Sequence, residues 1–284
     1  MLEIGAFNFC KWYEVMEKPV QILLTNDDGI QSPGLWAAAG ALSELGYVHV
    51  VAPRDQFSGA GRSMPSTSDG ILTPLQMEVN GKQWTVYSVG GTPAQSILHA
   101  ICEVLPAPPS LVVSGINYGE NLGVGVTVSG TVGAAMEGAS NGIPSLAVSL
   151  ETELAEHLSY SSAVDFSVAA YFTALFGRLI LERQLPHDVD LLKVDVPCDA
   201  TPGTPWEVTR LSRHTYFEAV RPRREKWDEP GRVGYRRIEE LDGIGADTDV
   251  YALRVKRVVS VTPLSLDLTS RIDRREFERS LRGG

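Results

Sequence analysis

The sequence predicts an α/β protein, with a parallel sheet covered on both faces by helices. Three observations lead there. Between residues 21 and about 150, short apolar runs alternate with helix-patterned segments. Those runs are apolar at successive positions instead of every second one, as expected for strands buried on both faces. With 284 residues, the chain is also long enough to enclose such a sheet.

Taken in order, QILLTN is a buried strand that ends in Asp-Asp-Gly. A helix follows over 33–46, with Ser32 as N-cap, Pro33 in the first turn and Gly46 closing it. YVHVVAP (47–53) is the second strand, and residues 54–70, rich in Ser, Gly and Pro, form a loop. ILTPLQMEV and WTVYSVGG flank Asn80-Gly81, which marks a hairpin. Thr92-Pro93 opens a helix through Cys102. LVVSG (111–115) is a strand, 116–128 a glycine-rich loop, and Ser129-Gly130-Thr131 the start of a helix that ends near Asn141-Gly142. PSLAVSL and LLKVDVP are further strands, separated by a helical segment that follows residue 158 and runs to about 184. Residues 206–262 read as an antiparallel extension, and 271–281 as a short charged helix.

Composition narrows the function. A net charge of −10 argues against a long nucleic-acid partner, which calls for a basic surface. The cysteines Cys10, Cys102 and Cys198 are odd in number and lack a CxxC pair, so neither a disulfide framework nor a zinc cluster is expected, and a reducing cytoplasm fits. No apolar run approaches the roughly 18 residues that span a bilayer. Residues 1–20 carry acids and no continuous apolar stretch, so they read as an N-terminal extension and not as a signal peptide.

Three loops at carboxyl ends of predicted strands carry polar residues that the fold itself does not require. In Asn26-Asp27-Asp28-Gly29, adjacent carboxylates can bind a hard divalent cation, although Asp-Gly is also a common turn. Ser58 and Arg62 stand in the second loop, as a hydroxyl donor for a metal and a cation for a phosphate. Asn117, in the third, offers an amide oxygen suited to Mg²⁺ or Mn²⁺. The helix start at Ser129-Gly130-Thr131 suits a phosphate. Loops of one parallel sheet open onto one crevice, and a metal beside an anion-binding helix start describes phosphoryl chemistry. The five histidines form no HxH or HExxH pattern, and His214 is the one candidate for protonating a leaving group.

The segments ILLTNDDGIQSPG, VVAPRDQFSGAGRSMP, LVVSGINYGENLG, SGTVGAAMEGASNGIPSLAVSL and VTPLSLDLT resemble the stationary-phase survival protein SurE family, closely over 21–150 and more loosely over 190–270. The resemblance implies a Rossmann-like three-layer α/β/α core with a C-terminal β-hairpin arm and a terminal helix. It divides the chain into an extension (1–20), a catalytic core (21–200) and an arm that joins subunits (201–284), in a homodimer or homotetramer. It implies a nucleotidase that releases phosphate from nucleoside 5′- and 3′-monophosphates, and from short polyphosphate, by metal-activated water. One divalent cation per subunit, Mg²⁺ or Mn²⁺, falls on Asp27, Asp28, Ser58 and Asn117. Asn26 joins the Asp pair in catalysis, and Ser129, Gly130, Thr131 and Asn117 face the substrate. The rival on the same fold is a non-catalytic nucleotide-binding protein. A dinucleotide-dependent oxidoreductase is disfavoured because GxGxxG is missing after the first strand.

Overall fold

The computed structural model describes residues 20–157, 160, 161 and 163–283; Cys10 and nearly all of the expected extension lie outside the described residues. Strand β1 (Gln21–Thr25) leads through the Asp-Asp turn into helix α1 (Pro33–Leu42), then β2 (Tyr47–Pro53). The hairpin β3 (Leu72–Val79) and β4 (Lys82–Val89) follows, with Asn80 and Gly81 both at positive φ in its tight turn. Helix α2 (Pro93–His99) starts on a complete capping box, in which Thr92 and Gln95 satisfy each other's backbone N–H groups. Then come β5 (Leu111–Tyr118), α3 (Gly130–Ser140), β6 (Ser145–Leu150), α4 (Ser167–Glu182) and β7 (Leu191–Val196). The C-terminal part holds β8 (Trp206–Val208), β9 (Phe217–Val220), β10 (Gly234–Arg237), α5 (Asp249–Tyr251), β11 (Val259–Leu264) and α6 (Arg274–Leu281).

Nine strands form one sheet in the order β3-β4-β2-β1-β5-β6-β7-β11-β8. The six from β4 to β7 are mutually parallel, and antiparallel pairings enter at the two sides through β3 and β11. Helices α1 and α4 pack on one face, α2 and α3 on the other. Ile22, Leu24 and Val113 point into the α1/α4 side with Leu35, Phe172 and Phe176, while Leu23 and Val112 point into the α2/α3 side with Ile97 and Ala134. Each of these valine, leucine, isoleucine and phenylalanine side chains contributes about 1.5–3 kcal/mol. From β1 the chain winds outward to β2, then returns to β1's other flank at β5. The reversal opens a crevice at the carboxyl ends of β1 and β5, the place where such sheets bind ligands.

Several expectations need correction. Helix α1 stops at Leu42, short of Gly46. Gly46 serves a close approach instead: a Cβ there would lie 2.4 Å from the Val20 carbonyl oxygen. Strand β5 runs three residues past the expected end at 115, so Asn117 belongs to a strand tip and not to a loop. The helix after residue 158 begins only at Ser167. Residues 206–262 are not one antiparallel extension. β8 and β11 join the main sheet, which therefore draws on both sides of residue 200, and only β9 and β10 form a separate ribbon. Asp249–Lys256, rich in β-type residues, is helical, with Thr248 capping Tyr251 and with Val250 and Leu253 buried against Leu122 and Tyr216. Burial on one helical face outweighed local composition there. No helix among the described residues is long and apolar enough to cross a membrane.

Candidate active site

The β1 tip is held in shape by its own side chains. Gly29 sits at φ +93°, a conformation that favours glycine. The Asn26 amide closes the turn from both ends: its Nδ2 donates to the Gly29 carbonyl (3.0 Å), and its Oδ1 accepts from the Gly29 N–H (3.2 Å). Asn26 is fully buried, and these two bonds shape the turn that aims the two aspartates.

Asp27 faces the start of α3. Its Oδ1 accepts from the Thr131 hydroxyl at 2.6 Å, and the backbone N–H groups of Gly130 and Thr131 also support the carboxylate. A Cβ at residue 130 would lie 2.7 Å from the Asp27 Cβ and 2.8 Å from its Oδ2, so glycine there is what lets the helix end reach the carboxylate. Ser129 caps the helix, its Oγ accepting from the Val132 N–H at 3.1 Å. Of the three helix-start residues expected to face a phosphate, Gly130 and Thr131 thus meet Asp27, and Ser129 caps the helix.

Asp28 is tied to three other elements. Its carboxylate accepts from Gln56 Nε2 (2.9 Å) and from the Tyr118 N–H at the β5 tip (3.2 Å). Its backbone carbonyl accepts from the Tyr160 hydroxyl at 2.6 Å. The Tyr118 contact brings Asn117, the preceding residue, to the same strand end. Asn117 donates its Nδ2 to the carbonyls of Gly119 (2.6 Å) and Tyr118 (3.2 Å), which leaves Oδ1 as the end of the amide able to act as a donor of lone pairs. Ser58 is exposed on the neighbouring loop, hydrogen-bonded to neither carboxylate; the loop is anchored where the Phe57 N–H meets the Asp27 carbonyl at 2.7 Å. Arg62 turns away from the crevice to pair with Glu137 (2.6 Å). His214 makes no contact with either aspartate.

The electrostatics are unusual. Asp27 and Asp28 are 6% and 2% exposed, and among the described residues no lysine or arginine pairs with them. Burial pushes the Asp27 carboxyl above its ordinary range, and burial together with the Asp27 charge raises Asp28 to about 8. Two adjacent carboxylates taken from water without a counter-ion are costly, and a bound cation relieves that cost. The donor set fits a hard divalent cation: two carboxylates, an amide oxygen and a hydroxyl nearby, with no sulfur or imidazole. The other acidic cluster, Glu151 with Cys198 and Asp199, is filled by an arginine instead. The Arg257 guanidinium reaches Glu151 at 2.6 Å, Asp199 at 2.5 Å and the Cys198 Sγ at 3.4 Å.

Sequence reading missed Gln56, which bridges Asp28 and the His157 carbonyl, both at 2.9 Å. It also missed Tyr160 and the arm contacts around His157. A lone glutamine ahead of a serine-glycine loop carries no local signature, and its partners Asp28 and His157 lie 28 and 101 residues away.

A family model described as "Survival protein SurE" matches residues 22–218. The chain is 44% identical over 265 residues to a protein named 5′-nucleotidase SurE from Thermococcus gammatolerans, covering 93% of this chain and 97% of that protein. It is 43% identical over 272 residues to the protein of the same name from Methanocella arvoryzae, covering 92% and 98%. The crystal structure of the SurE protein from Aquifex aeolicus superposes with a TM-score of 0.71 at 31% identity, covering 92% of this chain and 99% of that one.

Proposed function

The chain belongs to the SurE family, and from that premise we propose that it is a metal-dependent phosphatase of nucleoside 5′-monophosphates, acting also on 3′-monophosphates and short polyphosphate. The observation that carries this reading is the buried aspartate pair, without a counter-ion among the described residues, beside the N-terminus of α3 at the sheet's switch point. The names of the relatives support the substrate class.

Asp27 and Asp28 would hold one Mg²⁺ or Mn²⁺, with Asn117 Oδ1 and the Ser58 hydroxyl as further oxygen donors. When bound, the cation supplies Lewis-acid chemistry to a phosphate monoester and its water nucleophile. Gln56 and the Tyr118 N–H fix the orientation of Asp28, and Thr131 fixes that of Asp27. Ser129 presents a hydroxyl at the α3 end, where the Gly130 and Thr131 N–H groups turn toward Asp27 and the partial positive charge of the helix suits the phosphate oxygens as charge develops on them. The attacking water gives its proton to the aspartate pair. The P–O ester bond breaks, the leaving oxygen takes that proton back from the pair, and a nucleoside and inorganic phosphate are released. Exposed Trp227, Leu268 and Leu281 in the C-terminal region support association of copies of the chain through that region.

Phosphate release from AMP, GMP and the 3′-monophosphates, with Mg²⁺, with Mn²⁺ and with EDTA, tests the reading. Release that stops with EDTA is expected. Tight nucleotide binding without release would make the chain a non-catalytic nucleotide-binding protein.

A further inference from the structure

Beside the aspartates lies a cleft of about 570 Å³, within the range that takes a nucleoside-sized ligand. Its walls come from Gln56, Phe57, Ser58 and Pro65 of the core loop, from Thr92, and from Arg232 of the arm. The cleft opens off the candidate metal site, because Gln56 touches Asp28 (2.9 Å) and the Phe57 N–H touches the Asp27 carbonyl (2.7 Å). A phosphate held at the aspartates therefore has this space into which to extend the rest of its molecule.

Arg232 is held over the cleft by the strand that follows it. Three residues on, the Tyr235 hydroxyl meets His157 Nδ1 at 3.1 Å, and Arg237 pairs with buried Glu120 at 2.9 Å. The Gln56 wall is fastened to the same histidine through its carbonyl. No acid lines the cleft, and Arg232 pairs with none among the described residues. In a chain of net charge −10, an arginine without a carboxylate partner facing a substrate-sized space is a donor in want of acceptors.

We propose that Arg232 is a specificity-determining residue that reads the nucleobase, favouring guanine and hypoxanthine over adenine; this rests on the nucleotidase reading above. A guanidinium only donates, and its planar fork matches two adjacent acceptors. The O6 and N7 of guanine and hypoxanthine supply that pair, whereas adenine sets an N6 donor against the arginine. The Phe57 ring and Pro65 offer apolar faces to the flat side of the base.

The test is the ratio of kcat/KM for IMP to that for AMP, which differ at position 6 and in the N1 proton, with GMP alongside, in the wild type and in Arg232→Met. A ratio cancels any general loss of activity in the variant. The wild type should prefer IMP and GMP by roughly 10-fold, expressed in KM, and Arg232→Met should bring the ratio near 1. Arg232→Lys should not restore it, since a point donor does not span two acceptors. Equal kcat/KM for IMP and AMP in the wild type, or a preference that survives in Arg232→Met, overturns the proposal. Hydrolysis of ribose 5-phosphate by the wild type shows separately that the hydrolase reading stands. If no ester is cleaved, the hydrolase reading fails, and equilibrium binding of IMP against AMP to the two proteins still decides the role of Arg232.

Discussion

Two buried acid pairs in this molecule are treated in opposite ways. Asp195 and Asp249 close around Lys193, all three fully buried. Burial alone would lower the lysine pKa, but the two carboxylates outweigh it and hold the ammonium protonated. Asp195 also accepts from the Asn121 N–H and Asp249 from the N–H groups of Gly123 and Ser212, each at 2.8 Å, so the cluster ties the loop after β5 to the C-terminal region. Asp27 and Asp28 are nearly as buried, yet no cationic side chain among the described residues pairs with them. A fold that carries its own counter-ion uses buried charge as a fastener. A fold that omits the counter-ion keeps the charge for something that arrives from outside.

Four substitutions or conditions can break or sharpen that contrast. Lys193→Met leaves two buried carboxylates unpaired and should lower stability by roughly 3–5 kcal/mol, read from urea unfolding. A loss below about 1 kcal/mol would make the cluster far less important than its burial suggests. Asp27→Asn should do the reverse. It removes a buried charge with no partner, so the metal-free protein should gain about 1 kcal/mol while phosphate release falls by roughly 100-fold or more. Unchanged turnover with Mn²⁺ would remove Asp27 from the mechanism.

Smaller effects come from pH and from the groups that support the pair. Because the folded-state pKa of Asp28 is raised to about 8 from 3.8, the native state holds a proton that the unfolded chain gives up. The metal-free fold should therefore lose stability as pH rises across that window. A cation replaces the proton, so the rise in Tm on adding Mn²⁺ should be small at about pH 5 and grow toward pH 8. A shift that is flat over this range would mean that the cation binds elsewhere. Gln56→Leu removes one hydrogen bond from Asp28 and should weaken metal affinity by roughly 10-fold, with little change in unfolding.

How much of this was legible from residues alone varied with how local the cause is. The parallel core could be read because its strands are buried on both faces and therefore apolar at nearly every position, as in β1 and β6. Asp27, Asp28 and Asn117 stood out because polar residues follow such runs directly. The turn-closing bonds of Asn26 were not read, since closing a turn and donating to a substrate use the same amide. The helix start at Gly130 was read as a phosphate seat, and its contact with Asp27 was hidden because the two are 104 residues apart for the Thr131 bond. The C-terminal region was least legible. Its helix at Asp249–Lys256 is built from valine, leucine and tyrosine, and only packing against Leu122 and Tyr216 decides its period.

Calorimetric titration of Mn²⁺ into the metal-free protein, with Asp28→Asn titrated in parallel, addresses the missing counter-ion most directly. One cation per chain should bind to the wild type, with protons released, and affinity should fall by roughly 10-fold or more in Asp28→Asn. Equal affinity in the two proteins would contradict the assignment of the strand-tip aspartates as the seat of the cation.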